Sequence, residues 1–141
     1  MKKILFTCGG TGGHIYPAIA IASEIKKHHP DAQILFIGTK QGMENRLVPA
    51  AGFAIKGIDA SGIDRRSLVK NLRTVKNVIS GSRQAAKIID EFAPDAAVGT
   101  GGYVTGTVIR AAHKQGIPCY IHEQNAIPGL TNKLLQGYSK K

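Results

Sequence analysis

The stretch Gly9-Gly10-Thr11-Gly12-Gly13-His14 is the first place in the chain where residue types and spacing suit chemistry. It lies between the apolar run Ile4-Leu5-Phe6 and Pro17, an order that reads as strand, tight loop and helix start. Such a loop bares backbone N–H groups at the positive end of a helix, which suits a phosphate or another anion. His14 is the only titratable side chain in it, and an imidazole that titrates near neutrality can take a proton from a hydroxyl. A phosphate cradle with a base at its lip is one reading. A histidine hydrogen-bonded across the helix start is the plainer one.

A second glycine loop, Gly99-Thr100-Gly101-Gly102-Tyr103, repeats the arrangement between another apolar run and another helical period. A third constellation, His122-Glu123-Gln124-Asn125, follows a later apolar run. Glu123 has three open roles: orienting His14, accepting a sugar hydroxyl, or capping the following turn. His122 reads as a packed or orienting residue rather than a base. The nucleotide fingerprints do not fit. The first loop lacks the third glycine of G-x-G-x-x-G, Ile37-Gly38-Thr39 supplies no ribose-binding acid, and no G-x-x-x-x-G-K-[ST] occurs. No D-x-D pair or zinc-spaced histidines appear, and His28-His29 beside Pro30 reads as a helix end. Neither metal nor cofactor is expected.

To bring the three constellations together, the chain must place them on one edge of a sheet. Apolar runs predict strands at 3–8, 33–37, 53–58, 96–99 and 119–122. Helical periods fall at 17–28, 43–50, 67–92 and 104–115, with a last helix beginning at 129. The 67–92 segment is expected to be mostly helical and broken or bent near Ser80-Gly81-Ser82. Right-handed crossovers then give an α/β fold, a doubly wound parallel sheet ordered 3-2-1-4-5. In that order both glycine loops are neighbours at the topological switch point, where ligands bind. Cys8 and Cys119 fall on strands separated by one other, about 9–10 Å apart. A disulfide needs Cα atoms within about 7 Å, so both should be buried thiols.

The 141 residues are enough for one domain with a core of its own, at 43% hydrophobic and 20% charged. No run approaches the roughly 18 apolar residues of a membrane span. The start has a signal peptide's charges but too short an apolar run, so a cytoplasmic chain is expected. The net charge of +10 suggests an anionic partner: nucleic acid, an acidic membrane or a phosphorylated substrate. Much of it lies in Arg65, Arg66, Lys70, Arg73, Lys76, Arg83 and Lys87, with no acid among them. Leu68, Leu72, Val75 and Ile79 form one apolar stripe through that segment. Either the stripe packs on the sheet beneath a solvated cationic back, or the surface rests on anionic headgroups. Nucleic acid is disfavoured, because no aromatic residue is there to stack bases.

With these residues quoted, a resemblance can be stated. Gly9-Gly10-Thr11-Gly12-Gly13-His14-Ile15-Tyr16-Pro17-Ala18 resembles the N-terminal signature of the MurG family. Those are the UDP-N-acetylglucosamine:lipid I N-acetylglucosaminyltransferases of peptidoglycan synthesis. Gly99 through Val104, and His122-Glu123-Gln124-Asn125 with Pro128-Gly129-Leu130-Thr131-Asn132-Lys133, are similar to its next two motifs, in order. The resemblance covers the whole chain. It implies the Rossmann-like acceptor half of a GT-B glycosyltransferase, which moves N-acetylglucosamine with inversion from UDP to the 4-hydroxyl of lipid I, making lipid II.

Carried over residue by residue, it implies that Thr11, Gly12, Gly13 and Asn125 contact the donor UDP-N-acetylglucosamine. Gly10, Gly101, Gly102 and Tyr103 would hold the acceptor's diphosphate. His14 is similar to the family's proposed base or acceptor-site histidine, and Glu123, a candidate catalytic residue, and Tyr103 match residues thought important there. Arg65, Arg66, Leu68, Lys70, Leu72, Arg73, Val75 and Lys76 fall where the family docks on the membrane. The implied partners are lipid I and the anionic inner leaflet at the cytoplasmic face of the membrane, with no nucleic acid. The family's C-terminal domain, which makes most of the UDP-sugar site, has no counterpart in 1–141. Residues 1–141 are therefore expected to form a single acceptor and membrane-docking domain, idle without that second half or a partner subunit. The alternative is a non-catalytic, membrane-docked lipid-binding subunit of a split or truncated transferase.

Overall fold

Leu5 and Phe6 are adjacent in one strand and face opposite ways, and that alternation divides the core in two. A computed structural model describes residues 2–60 and 68–123, with side chains throughout except at 68–71, 73 and 74. The strands are β1 (Lys3–Thr7), β2 (Gln33–Thr39), β3 (Ala54–Ile58), β4 (Ala96–Gly99) and β5 (Cys119–Ile121). Between them run helices α1 (Gly12–His28), α2 (Glu44–Ala50), α3 (Leu68–Phe92) and α4 (Tyr103–Lys114). All pairings are parallel and the order is β3-β2-β1-β4-β5, as the crossover rule predicts.

On one face Leu5, Leu35, Ile37 and Ala97 pack with Ala85 and Ile89 of α3 and Val104, Val108 and Ile109 of α4. On the other, Phe6 and Phe36 pack with Ile15, Ala18 and Ala22 of α1 and Val48 of α2. Phe6 and Phe36 are register partners, and their rings stack at 5.2 Å. Central strands covered on both sides must be apolar throughout, which is why 4–6 and 34–37 read as unbroken runs. Cys8 and Cys119 are free, buried thiols belonging to opposite layers. Burial pushes them up to about 12 and about 11, with Glu44's carboxylate adding to the effect on Cys8.

Two boundaries differ from expectation in ways that matter. α1 begins at Gly12 rather than at Pro17, so half of the first glycine loop is helix. Thr11, extended at φ −132° and ψ 159°, is the N-cap, and its carbonyl receives the N–H of His14 and of Ile15. Pro17 sits inside the helix and leaves the Gly13 carbonyl without its helical donor. The second difference is α3, which runs unbroken through Ser80-Gly81-Ser82. Gly81 is there for close approach rather than for a bend: a Cβ on it would overlap the Asp59 carbonyl at the end of β3.

Candidate active site

Both glycine loops emerge from adjacent strands, β1 and β4, at the carboxyl edge of the sheet. The first loop runs straight into α1 and the second into α4. Neither helix has an acidic residue in its first turn; the Thr11 side chain makes no cap hydrogen bond on α1, and the N-cap of α4, Gly102, has no side chain. Two helix N-termini with no acid and no side-chain cap among the described residues therefore open on the same edge.

The loops are stitched to each other. Gly9 N–H donates to the Gly101 carbonyl at 3.3 Å, and Thr100 N–H to the Thr7 carbonyl at 3.1 Å. The Thr105 hydroxyl, fully buried, lies 2.8 Å from the Gly101 carbonyl and 3.3 Å from that of Thr7. Gly101 and Gly102 have φ of +128° and +98°, where a side chain is strained. A Cβ on Gly101 would lie 2.5 Å from His14 Cδ2, and one on Gly102 would overlap the Gly9 carbonyl. The second loop is glycine-rich because the first loop and its histidine lie against it.

His14 is in the first turn of α1 and half-buried, with Nδ1 3.1 Å from the Gly9 carbonyl. A carbonyl only accepts, so Nδ1 carries the proton in that contact, and the neutral ring keeps its lone pair on Nε2. The Thr100 hydroxyl donates to the His14 carbonyl at 2.5 Å. Thr11 and Gly13 are exposed in the same loop, Gly12 packs on Tyr16, and Gly10 is open to solvent at φ +92°. Tyr16 and Tyr103 stand out at the edge, 59% and 67% exposed. His122 and Glu123, half-buried, follow β5 on the same edge, and His122 N–H donates to the Gly99 carbonyl at 2.8 Å. Asn125 lies outside the described residues, as do Arg65 and Arg66 and the side chains of Leu68, Lys70 and Arg73.

Three features here were not singled out from sequence. Thr100 and Thr105 position rather than line the edge, and a hydroxyl's partner 86 residues away leaves no local mark. Glu44, which opens α2, is fully buried behind the first loop. Its Oε1 accepts from Thr39 N–H at 3.1 Å and the Thr39 hydroxyl at 2.5 Å, while Oε2 has no partner among the described residues. An acid in a helix's first turn ordinarily faces water, and only Gly38 and Gly42 beside it hint otherwise.

On α3 the packed reading of the stripe is corrected. Leu72, Val75 and Ile79 are 71%, 58% and 52% exposed, with Val78 beside them. The helix reaches the core through Ala85 and Ile89 instead. Lys76, Arg83 and Lys87 are exposed along the same helix, and Lys76, Ile79, Ser80, Arg83 and Gln84 line a shallow groove.

The sequence model described as the glycosyltransferase family 28 N-terminal domain matches residues 4–141. The chain belongs to that family. The family 28 domain is 54% identical over 138 residues to a Thermoanaerobacter sp. (strain X514) protein. That relative is named UDP-N-acetylglucosamine--N-acetylmuramyl-(pentapeptide) pyrophosphoryl-undecaprenol N-acetylglucosamine transferase. The match takes in 98% of this chain and 38% of the relative. A Bacillus cytotoxicus protein of the same name is 49% identical, across 99% of this chain and 38% of its own length. Among solved structures, Acinetobacter baumannii MurG superposes with a TM-score of 0.87 at 35% identity, over 99% of this chain and 40% of that one. The calicheamicin glycosyltransferase CalG4, at 17% identity and a TM-score of 0.64, shares the fold. The family 28 domain thus has the fold of the N-terminal half of a GT-B glycosyltransferase, and spans about two fifths of the relatives it matches.

Proposed function

We propose that this chain is the acceptor-binding half of an inverting transferase, moving N-acetylglucosamine from UDP-N-acetylglucosamine to the 4-hydroxyl of lipid I. The observation that carries the reading is His14. A ring held through Nδ1–H on the Gly9 carbonyl keeps its lone pair on Nε2, in a ring packed against Gly101 beside two helix N-termini. His14 Nε2 takes the proton of the acceptor hydroxyl as its oxygen bonds to the sugar's anomeric carbon. The bond from that carbon to the UDP oxygen breaks, and UDP leaves with the electron pair. The N–H groups at Gly10 and around Gly101, Gly102 and Tyr103 hold the acceptor diphosphate, while Thr11, Gly12, Gly13 and Asn125 meet the donor. Glu123 orients the histidine or accepts a sugar hydroxyl. The rest of the donor site belongs to a C-terminal domain or partner subunit, and UDP-N-acetylglucosamine is substrate rather than cofactor.

The lipid-linked acceptor requires a membrane, and the exposed apolar stripe of α3 with its cations supports docking there. The docking set is Leu72, Val75 and Lys76 with Arg65, Arg66, Leu68, Lys70 and Arg73, on the cytoplasmic face as a peripheral protein. Among the described residues no helix is long and apolar enough to cross a membrane.

The test is transfer to lipid I by this chain joined to a relative's C-terminal domain, with the chain alone as control. The joined protein should turn over and the chain alone should not. Substituting His14→Ala should cost about 10²–10⁴-fold in kcat, the usual worth of a general base. Transfer by His14→Ala at near the parent rate removes the base assignment. A joined protein that binds lipid I without turnover favours the non-catalytic subunit.

A further inference from the structure

We propose that Thr100 is a positioning residue for His14, its buried hydroxyl fixing the histidine to the sheet through the histidine's own carbonyl. The His14 carbonyl already has a helical donor four residues on, and its second lone pair is open to another. Thr100 fills it at 2.5 Å. Thr100 is not a loop residue in the mechanical sense. Its N–H continues the β1–β4 ladder onto the Thr7 carbonyl at 3.1 Å, and it is wholly buried. The hydroxyl therefore refers the first turn of α1 to the sheet rather than to a mobile tip. A β-branched side chain suits this, because its χ1 is stiff.

Two further contacts depend on that reference point. The Gly9 carbonyl must meet His14 Nδ1, now at 3.1 Å, and Gly101 Cα must lie against the ring. Gly101 is held in turn by the Thr105 hydroxyl at 2.8 Å. The imidazole is thus set by a backbone carbonyl, by a glycine face, and by a hydroxyl acting on its own main chain. Removing the hydroxyl frees the turn to shift, and the longest of these hydrogen bonds, Nδ1–H to Gly9, is the one that yields. The ring then drifts toward the Nε2–H form that free histidine favours, which puts a proton where the base needs a lone pair. The functional weight of this rests on His14 being the base, while the geometry does not.

The experiment is nitrogen-15 NMR of the ring tautomers in histidine-labelled chain, reading the ratio of Nδ1–H to Nε2–H at His14. The unaltered chain should be mostly Nδ1–H. Thr100→Val should lower the ratio about fivefold, the worth of one ordinary hydrogen bond. Thr100→Ser, which keeps the hydroxyl, should stay close to the parent. A folded Thr100→Val at the parent ratio overturns the proposal, and so does a Thr100→Ser that falls as far. Should Thr100→Val not fold, the unaltered chain still decides. A Thr100 hydroxyl proton protected from exchange with water supports the contact, and one exchanging at the free rate overturns it. The outcomes separate cleanly from the test of function: His14→Ala at full transfer rate removes the base and leaves the tautomer result standing, and the converse holds as well.

Discussion

A histidine at a helix start is ambiguous until its ring partner is known. Here the partner is a carbonyl, and a carbonyl leaves only one neutral tautomer in place. The glycines and His14 were legible in the sequence because their chemistry is intrinsic to residue type and local order. Thr100, Thr105 and Glu44 were not, because what distinguishes them is burial and a partner far along the chain. Ala93 belongs to this scale too. It ends α3 at φ +52°, its N–H on the Ile89 carbonyl, in the left-handed region that a Cβ disfavours. Replacing Ala93→Gly relieves that clash while giving the unfolded chain more freedom to lose. The net expectation is a gain of about 0.5–1 kcal/mol, measured as a higher urea midpoint at unchanged slope. A loss of stability would mean that the methyl group contributes more by packing than it costs in backbone strain.

Among the elements, α3 is one helix with two different surroundings. Its C-terminal half is a core helix, and its N-terminal half presents Leu72, Val75 and Ile79 to solvent. Periodicity revealed the stripe but not what it faces, since a 3.6-residue period records an amphipathic face and not its partner. The expected bend failed for a similar reason: Gly81 and Ser80 serve Asp59, which local sequence does not place. Asp59 joins three elements. Its carboxylate meets Lys40 at 2.8 Å, the Ser80 hydroxyl at 2.5 Å and Gln84 at 3.0 Å, and its N–H donates to Gln84 at 2.7 Å. Hydrogen bonding by Lys40 first, then by Ser80 and Gln84, holds it at about 2, below its ordinary 3.8. A depressed carboxylate contributes stability above the unfolded value and loses it as pH falls through the folded one. Between about pH 4 and pH 2 the parent should lose stability that Asp59→Asn, already without the charge, does not lose over that window. Thermal midpoints across the window check this, and parallel pH profiles for the two proteins would refute it.

The strand order was legible at the scale of the whole molecule because few topologies survive right-handed crossovers with a helix in every one. Order then places the glycine loops side by side, so their adjacency followed from topology before any side chain was known. Charge belongs to this scale as well. On the proposed docking, a net +10 would draw the chain to anionic surfaces from a distance, and the α3 stripe would then supply apolar contact. Co-sedimentation with anionic vesicles should be strong at low salt and weaken as salt screens the cations. Changing Leu72, Val75 and Ile79 together to Ser should weaken it at every salt concentration. If the triple variant binds as well as the parent, the face is not the docking surface. Equal binding to neutral vesicles would remove the electrostatic part.

The hydrogen bond from Thr100 to His14 spans 86 positions of the chain, and that interval is also a delay. At a synthesis rate of roughly 5–20 residues per second, His14 emerges about 4–17 seconds before the residue that seats it. The glycine loop at the start of the chain is therefore written first and finished late. Until β4 arrives beside β1, His14 has neither the hydroxyl tether on its carbonyl nor the Gly101 face against its ring, and a nascent chain carries the residues of the site without the site.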